Sequence, residues 1–92
     1  MGNKMKIKSG FVLEKVGGAY LAVAVGSRTK DFNGLVRMNG TGAFLWGLLA
    51  DQDMTKEELL SKVLSEYEVG EEQARGDIEA FEKTLRDNGI LE

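Results

Sequence analysis

Closely spaced carboxylates in the second half of the chain are the side chains best suited to catalysis. They form three pairs: Asp51 and Asp53, Glu57 and Glu58, and Glu71 and Glu72. General acid–base catalysis needs two carboxylates that face each other across a cleft with different pKa values. Neighbouring residues of a helix instead diverge by about 100°, and all three pairs stand where a helix is predicted to begin. We interpret them as helix-capping groups and as partners of the helix dipole.

The residue types that are absent exclude several classes of active site. The chain has no cysteine and no histidine, which rules out disulfides, thiolate or imidazole metal ligands, cysteine nucleophiles and a Ser-His-Asp triad. Asp51 and Asp53 lack the glycine and the bidentate glutamate that complete a calcium loop. We therefore expect no catalytic residues, no metal and no cofactor, and we predict that the protein is not an enzyme.

Two short motifs have both a structural and a functional interpretation. Gly40-Thr41-Gly42 precedes a predicted helix, and its backbone amides suit an anion, but the lysine and the acidic residue of nucleotide-binding loops are missing. Trp46 and Phe44 would suit base stacking, but leucines surround both. We expect the first motif to be a helix start and Trp46 to be buried.

The length of the chain indicates its broad class. The 92 residues suffice for one domain, with strands at about 10–38, helices at about 40–89 and disorder at 1–6. No apolar run is long enough to cross a membrane, and no signal segment opens the chain. We therefore predict a cytoplasmic protein that does not bind membranes.

Charge is distributed unevenly between the two halves of the chain. Residues 1–50 carry seven basic and two acidic residues, a net charge of +5, whereas residues 51–92 carry five basic and thirteen acidic residues, a net charge of −8. This asymmetry is either ordinary solvated surface or a feature that orients a charged partner. In both cases the acidic half is a poor match for a nucleic-acid backbone.

Three short segments have the pattern of β-strands. Phe11 to Val16 and Tyr20 to Val25 are rich in β-branched and aromatic residues, and Gly17-Gly18 between them suits a two-residue hairpin turn. A third strand follows at Leu35 to Met38. We predict an antiparallel meander whose first and third strands are open edges. In the third strand, alternation places Val36 and Met38 toward the helices, but it leaves undetermined which residues direct their backbone groups to the open edge.

The remainder of the chain has a helical pattern. Asn39 is a suitable N-cap for the first helix, and Thr55 with Glu58 forms a capping box for the second. The third helix begins near Glu71 and ends at Gly89 in the left-handed conformation. Three glycines lie inside these helices: Gly42, Gly47 and Gly76. Each either marks the close approach of another backbone or is a tolerated cost of about 1 kcal/mol. The whole is an α+β domain, a three-stranded antiparallel sheet followed by a three-helix bundle, winged-helix-like in topology.

The segment from Met38 to Leu49 (MNGTGAFLWGLL) resembles the signature of the PqqD-like family, which is named for an accessory protein of pyrroloquinoline quinone biosynthesis. Residues 77–85 (DIEAFEKTL) and 89–91 (GIL) are similar to the C-terminal pattern of the family, with residues 64–67 (LSEY) between the two. The resemblance covers the chain from about Ile7 to its end, and the order of elements agrees.

The resemblance implies a peptide-binding module, a recognition element for ribosomally synthesised and post-translationally modified peptides (RiPPs). Such a module binds the leader of a precursor peptide and delivers it to a modifying enzyme, typically a radical SAM protein. The leader adds as a strand to the third strand and packs beside the third helix. Carried onto this chain, the resemblance places the edge at Leu35, Val36, Arg37 and Met38, and the groove wall at Arg75, Ile78, Phe81, Glu82 and Leu85. We expect a peptide product other than pyrroloquinoline quinone, because many relatives serve other peptides.

Two alternative functions remain compatible with the residues. One is a winged-helix nucleic-acid-binding domain, although the third helix carries three basic residues against six acidic ones, and phosphates would repel it. The other is a structural module or domain-swapped homodimer that pairs through the same open edge.

Overall fold

The computed structural model describes residues 4–26, 29 and 35–92. The strands are β1 (Phe11–Val16), β2 (Ala19–Ala24) and β3 (Leu35–Met38), and the helices are α1 (Gly40–Asp51), α2 (Lys56–Glu66) and α3 (Glu71–Asp87). The fold is therefore α+β, with a three-stranded antiparallel sheet followed by three helices, as the sequence predicts. No helix among the described residues is long and apolar enough to cross a membrane.

The sheet has the order β1-β2-β3, with both pairs antiparallel. Val16 lies opposite Ala19, so Gly17 and Gly18 form a two-residue hairpin turn, and Gly17 has the positive φ of 62° that such a turn needs. Within the described residues, β1 and β3 each have one edge without a neighbouring strand. On β3, Val36 and Met38 are buried whereas Leu35 and Arg37 are exposed, which confirms the predicted alternation.

Local capping starts the first two helices at the predicted residues. The Asn39 side chain accepts a hydrogen bond from the backbone N–H of Gly42 at 2.7 Å, and Thr55 and Glu58 form the capping box of α2. A Cβ atom at Gly42 would lie 3.2 Å from Asn39 Oδ1 and 3.3 Å from Met38 Cβ, so this glycine does mark a close approach. Added Cβ atoms at Gly47 and Gly76 would meet nothing within 4 Å.

The core lies between the inner face of the sheet and the three helices. Trp46 is buried as predicted, and Phe44 packs edge-on against Tyr67 with ring centroids 5.5 Å apart. The interior stripe of α3 consists of Ala74, Ile78, Phe81 and Leu85. After α3, Gly89 adopts a φ of 69°, and the two residues that follow it are buried in the core.

The N-terminal segment is part of the fold. Met5 is buried, and its N–H donates to the Met54 carbonyl at 2.7 Å. Lys6 accepts a hydrogen bond from the N–H of Glu92, and Lys8 donates one to Ile90. The prediction of disorder at residues 1–6 is therefore wrong for residues 4–6, and residues 1–3 lie outside the described part of the chain. Met5 pairs with Met54, which is distant in sequence, and no local periodicity reveals such pairing.

Candidate functional site

One hydrogen bond at the end of the sheet shows which residues of each strand bond to which neighbouring strand; we call this alternation the hydrogen-bonding parity. The N–H of Val25 donates to the carbonyl of Gly10 at 2.8 Å, and these residues continue the register of β1 and β2. Hydrogen-bonded pairs alternate with non-bonded pairs in an antiparallel ladder. On β2, the odd-numbered residues therefore direct their backbone groups to β1, and the even-numbered residues direct theirs to β3.

This parity identifies the backbone groups at the open edge of β3. Val36 and Met38 stand opposite Ala22 and Tyr20, so they are the residues that bond to β2. Leu35 and Arg37 consequently direct their N–H and C=O groups to the open edge. The edge offers two donors and two acceptors to an added strand.

A cavity of about 130 Å³ lies beside this edge. Its lining comes from the end of β3 and the start of α1 (Arg37, Met38, Asn39, Thr41 and Gly42) and from α3 (Asp77, Ala80, Phe81 and Thr84). The spacing of the four α3 residues places them on one flank of the helix. The volume is close to that of an engineered cavity of about 150 Å³ that binds benzene, so it has room for one side chain.

The flank of α3 that faces this cavity has one carboxylate. Asp77 is half-buried and accepts a hydrogen bond from the Gln73 side-chain amide at 3.0 Å. Ala80 and Thr84 are small, and Phe81, of which 6% is exposed, is the aromatic residue among those that line this wall. This side of α3 therefore combines the apolar residues Ala80 and Phe81 with the single negative charge of Asp77.

The other flank of α3 faces α2 and is covered by ion pairs. Arg75 contacts Glu57 at 2.9 Å, and its hydrogen bond holds the pKa of Glu57 below its ordinary value. Glu82 contacts Lys56 at 3.0 Å and also pairs with Arg86. Burial raises the pKa of Glu82, but the hydrogen bonds from these two cations outweigh it, and the net pKa is lowered.

The structure brings together only some of the residues predicted for the groove. Arg37, Met38 and Phe81 line the cavity, and Leu35 lies on the same strand edge. Val36, Ile78 and Leu85 are buried in the core. The two predicted charged residues, Arg75 and Glu82, lie on the α2 flank in the ion pairs described above.

The sequence analysis did not identify the remaining residues that line the cavity. These residues are Asn39, Thr41, Gly42, Asp77, Ala80 and Thr84. A signal for the α3 residues was present, since Asp77, Ala80 and Thr84 recur at helical spacing on one side of the buried stripe. The opposite side carries the basic residues that pair with acidic ones.

Comparison with solved structures finds a similar fold. A chain described as TbiB1 in complex with the TbiA(beta) leader peptide superposes with a TM-score of 0.72. The match has 20% sequence identity and covers 95% of this chain and 94% of that one. No curated protein sequence matches the chain. The family model of coenzyme PQQ synthesis protein D matches residues 12–91, and the chain therefore belongs to the PqqD family.

Proposed function

We propose that this chain is a non-catalytic domain that binds the leader of a ribosomally made precursor peptide by strand addition to β3. The observation that carries the proposal is the open edge of β3 beside the cavity that α3 borders. Membership of the PqqD family supports it, as does the similar fold of a protein solved with a leader peptide.

The main chain and the cavity would contribute differently to binding. The backbone groups of Leu35 and Arg37 form up to four hydrogen bonds with an added strand, each worth a net of about 0.5–1.5 kcal/mol. These bonds do not depend on the peptide sequence. An apolar side chain that enters the cavity would add about 1.5–3 kcal/mol and would supply the choice among peptides.

The domain would deliver its peptide to a modifying enzyme, for which we propose a radical SAM protein in the cytoplasm. The cavity itself does not suit acid–base catalysis by paired carboxylates, since Asp77 is the one carboxylate among the described residues that line it. The bound leader would be held, and the chemistry would take place on the core segment in the partner enzyme.

Nucleic-acid binding has no support from α3, which the structure describes throughout. Its three basic residues, Arg75, Lys83 and Arg86, all form ion pairs with carboxylates of the same chain. A phosphate backbone would have to displace these pairs and approach six acidic residues.

Amide hydrogen exchange measured by NMR tests the proposal. The probes are synthetic leader segments of short open reading frames encoded next to this gene. Binding should slow exchange at Leu35 and Arg37 and shift the resonances of Ala80 and Phe81, while Val36 is already protected in the free protein. Binding that leaves the β3 edge unchanged and perturbs α2 instead would refute strand addition.

A further inference from the structure

We propose that Asp77 makes the groove selective for peptides with a basic residue two positions from the apolar residue that enters the cavity. The inference rests on the proposed function and specifies the class of peptide that the same site accepts. It depends on the charge balance of α3, on the face to which Arg37 points, and on the geometry of an added strand.

The charge of Asp77 is not balanced by any cation in the described part of the chain. Four of the other five carboxylates of α3 have a basic partner within 4.0 Å: Glu71 with Arg75, Glu79 and Glu82 with Lys56, and Asp87 with Lys83. The fifth, Glu72, is exposed and does not line the cavity. Asp77 instead contacts the neutral amide of Gln73. It is therefore a half-buried negative charge on the cavity wall, available to a ligand.

Arg37 also lines the cavity, but its side chain does not balance this charge. Successive side chains of a strand point to opposite faces, and Met38 points inward, toward the helices. The Arg37 side chain thus points to the outer face of the sheet, and no ion pair joins it to Asp77 among the described residues. Arg37 is nevertheless one of the residues that line the cavity.

The spacing of the peptide residues follows from the geometry of strands and helices. Alternate side chains of an added strand point toward α3 and lie about 6.6 Å apart along the strand. Asp77 and Phe81 are separated by about one helical turn, roughly 6 Å along the axis. A strand along this flank would therefore place an apolar side chain near Phe81 and its inward neighbour, two positions away, near Asp77.

A peptide that covers Asp77 would bind more tightly with a basic residue beside the carboxylate than with any other residue there. The bound strand would remove water from a carboxylate that is already half-buried, and an uncompensated loss of solvation is unfavourable. A lysine or arginine replaces that solvation with a charge-assisted hydrogen bond. An acidic or apolar residue at the same position would leave the carboxylate uncompensated. Asp77 would therefore favour peptides with a basic residue there and disfavour the others.

A display library of random decapeptides tests this selectivity. The wild-type protein should enrich peptides with lysine or arginine two positions from a leucine, isoleucine, phenylalanine or methionine. Asp77→Lys should select acidic residues at that position, and Asp77→Asn should lose the preference. Glu79→Lys is the matched control, because it makes the same charge change on the exposed α2 flank and should select the wild-type peptides.

Affinities of the selected peptides complete the test. Replacing the basic residue by glutamate should weaken binding to the wild type about tenfold, and Asp77→Lys should reverse that order. Circular dichroism verifies that each variant is folded. If Asp77→Lys does not fold, the loss of preference in Asp77→Asn is the test. Selected peptides that bind the β3 edge without a basic residue, or with the same preference in every Asp77 variant, would overturn the inference and leave strand addition intact. Failure to select any peptide that protects the edge amides would instead overturn the proposed function.

Discussion

Proline substitution separates the two hydrogen-bonding sides of β3. Proline has no N–H and cannot donate to a strand ladder. Arg37→Pro removes an N–H that faces the open edge, whereas Val36→Pro removes one that bonds to β2. We expect the first variant to fold and to bind peptide weakly, and the second to lose stability.

The size of each effect follows from the structure. Loss of one main-chain hydrogen bond, about 0.5–1.5 kcal/mol, should raise the Kd of Arg37→Pro roughly 2- to 12-fold. Arg37→Ala also lacks the arginine side chain but keeps the N–H. The ratio of the Kd of Arg37→Pro to that of Arg37→Ala therefore measures the contribution of this N–H to binding. Val36→Pro leaves an acceptor of Ala22 unpaired at a buried site, which costs about 1–3 kcal/mol. Lost packing adds to this cost, and the Tm should fall by roughly 10–25 °C.

The assay combines thermal unfolding with fluorescence anisotropy of a labelled decapeptide from the display selection. Lys15→Pro is the matched control at the opposite edge of the sheet, because Lys15 is exposed and directs its N–H away from β2. This variant should bind peptide like the wild type. If Arg37→Pro binds as tightly as Arg37→Ala, or if Lys15→Pro is the variant that weakens binding, the assignment of the peptide to β3 is refuted.

Three further predictions concern stability and burial. Gly47→Ala and Gly76→Ala should each raise the free energy of unfolding by about 0.5–1 kcal/mol, because a methyl group there meets no atom within 4 Å; a lower urea midpoint would contradict this. The pKa of Glu82 lies below its ordinary value of 4.5, so its contribution to stability is present above that pH and is lost as the pH falls further. Urea titrations from pH 6 to pH 3 should accordingly show a steeper loss of stability for the wild type than for Glu82→Gln. Trp46 should emit at blue-shifted wavelengths in the native state, since 4% of it is exposed; emission like that of free tryptophan would contradict its position in α1.

Features that depend on a few neighbouring residues could be predicted from the sequence. The N-cap at Asn39 and the capping box at Thr55 and Glu58 each involve a side chain and a backbone N–H three residues apart. The left-handed conformation of Gly89 is equally local, because only glycine adopts a positive φ without steric cost. The order and type of the elements followed from such signals and from the alternation in the strands.

The groove side of α3 could not be predicted from the sequence, because it depends on tertiary packing. Helical periodicity identifies the buried stripe that contains Ile78 and Leu85, but it does not indicate which flank of that stripe lies beside β3. Which flank lies beside β3 is decided by where α2 packs, and the ion pair of Arg75 with Glu57 reveals that side. The family resemblance places Arg75 in the groove wall. In the structure Arg75 pairs with Glu57, and Asp77 is the charged residue of α3 that lines the cavity.

The parity of β3 and the position of Asp77 together determine how a bound peptide would be held in register. An added strand directs alternate side chains inward, toward Asp77, and outward, beside Arg37. A slip of one residue exchanges the two sets completely. For a peptide with a basic inward residue and an acidic outward neighbour, that slip replaces two attractions with two repulsions and removes the apolar side chain from the cavity. Main-chain hydrogen bonds alone would tolerate the slip, so in the proposed complex the two charges on opposite faces of the strand would determine the register of the peptide.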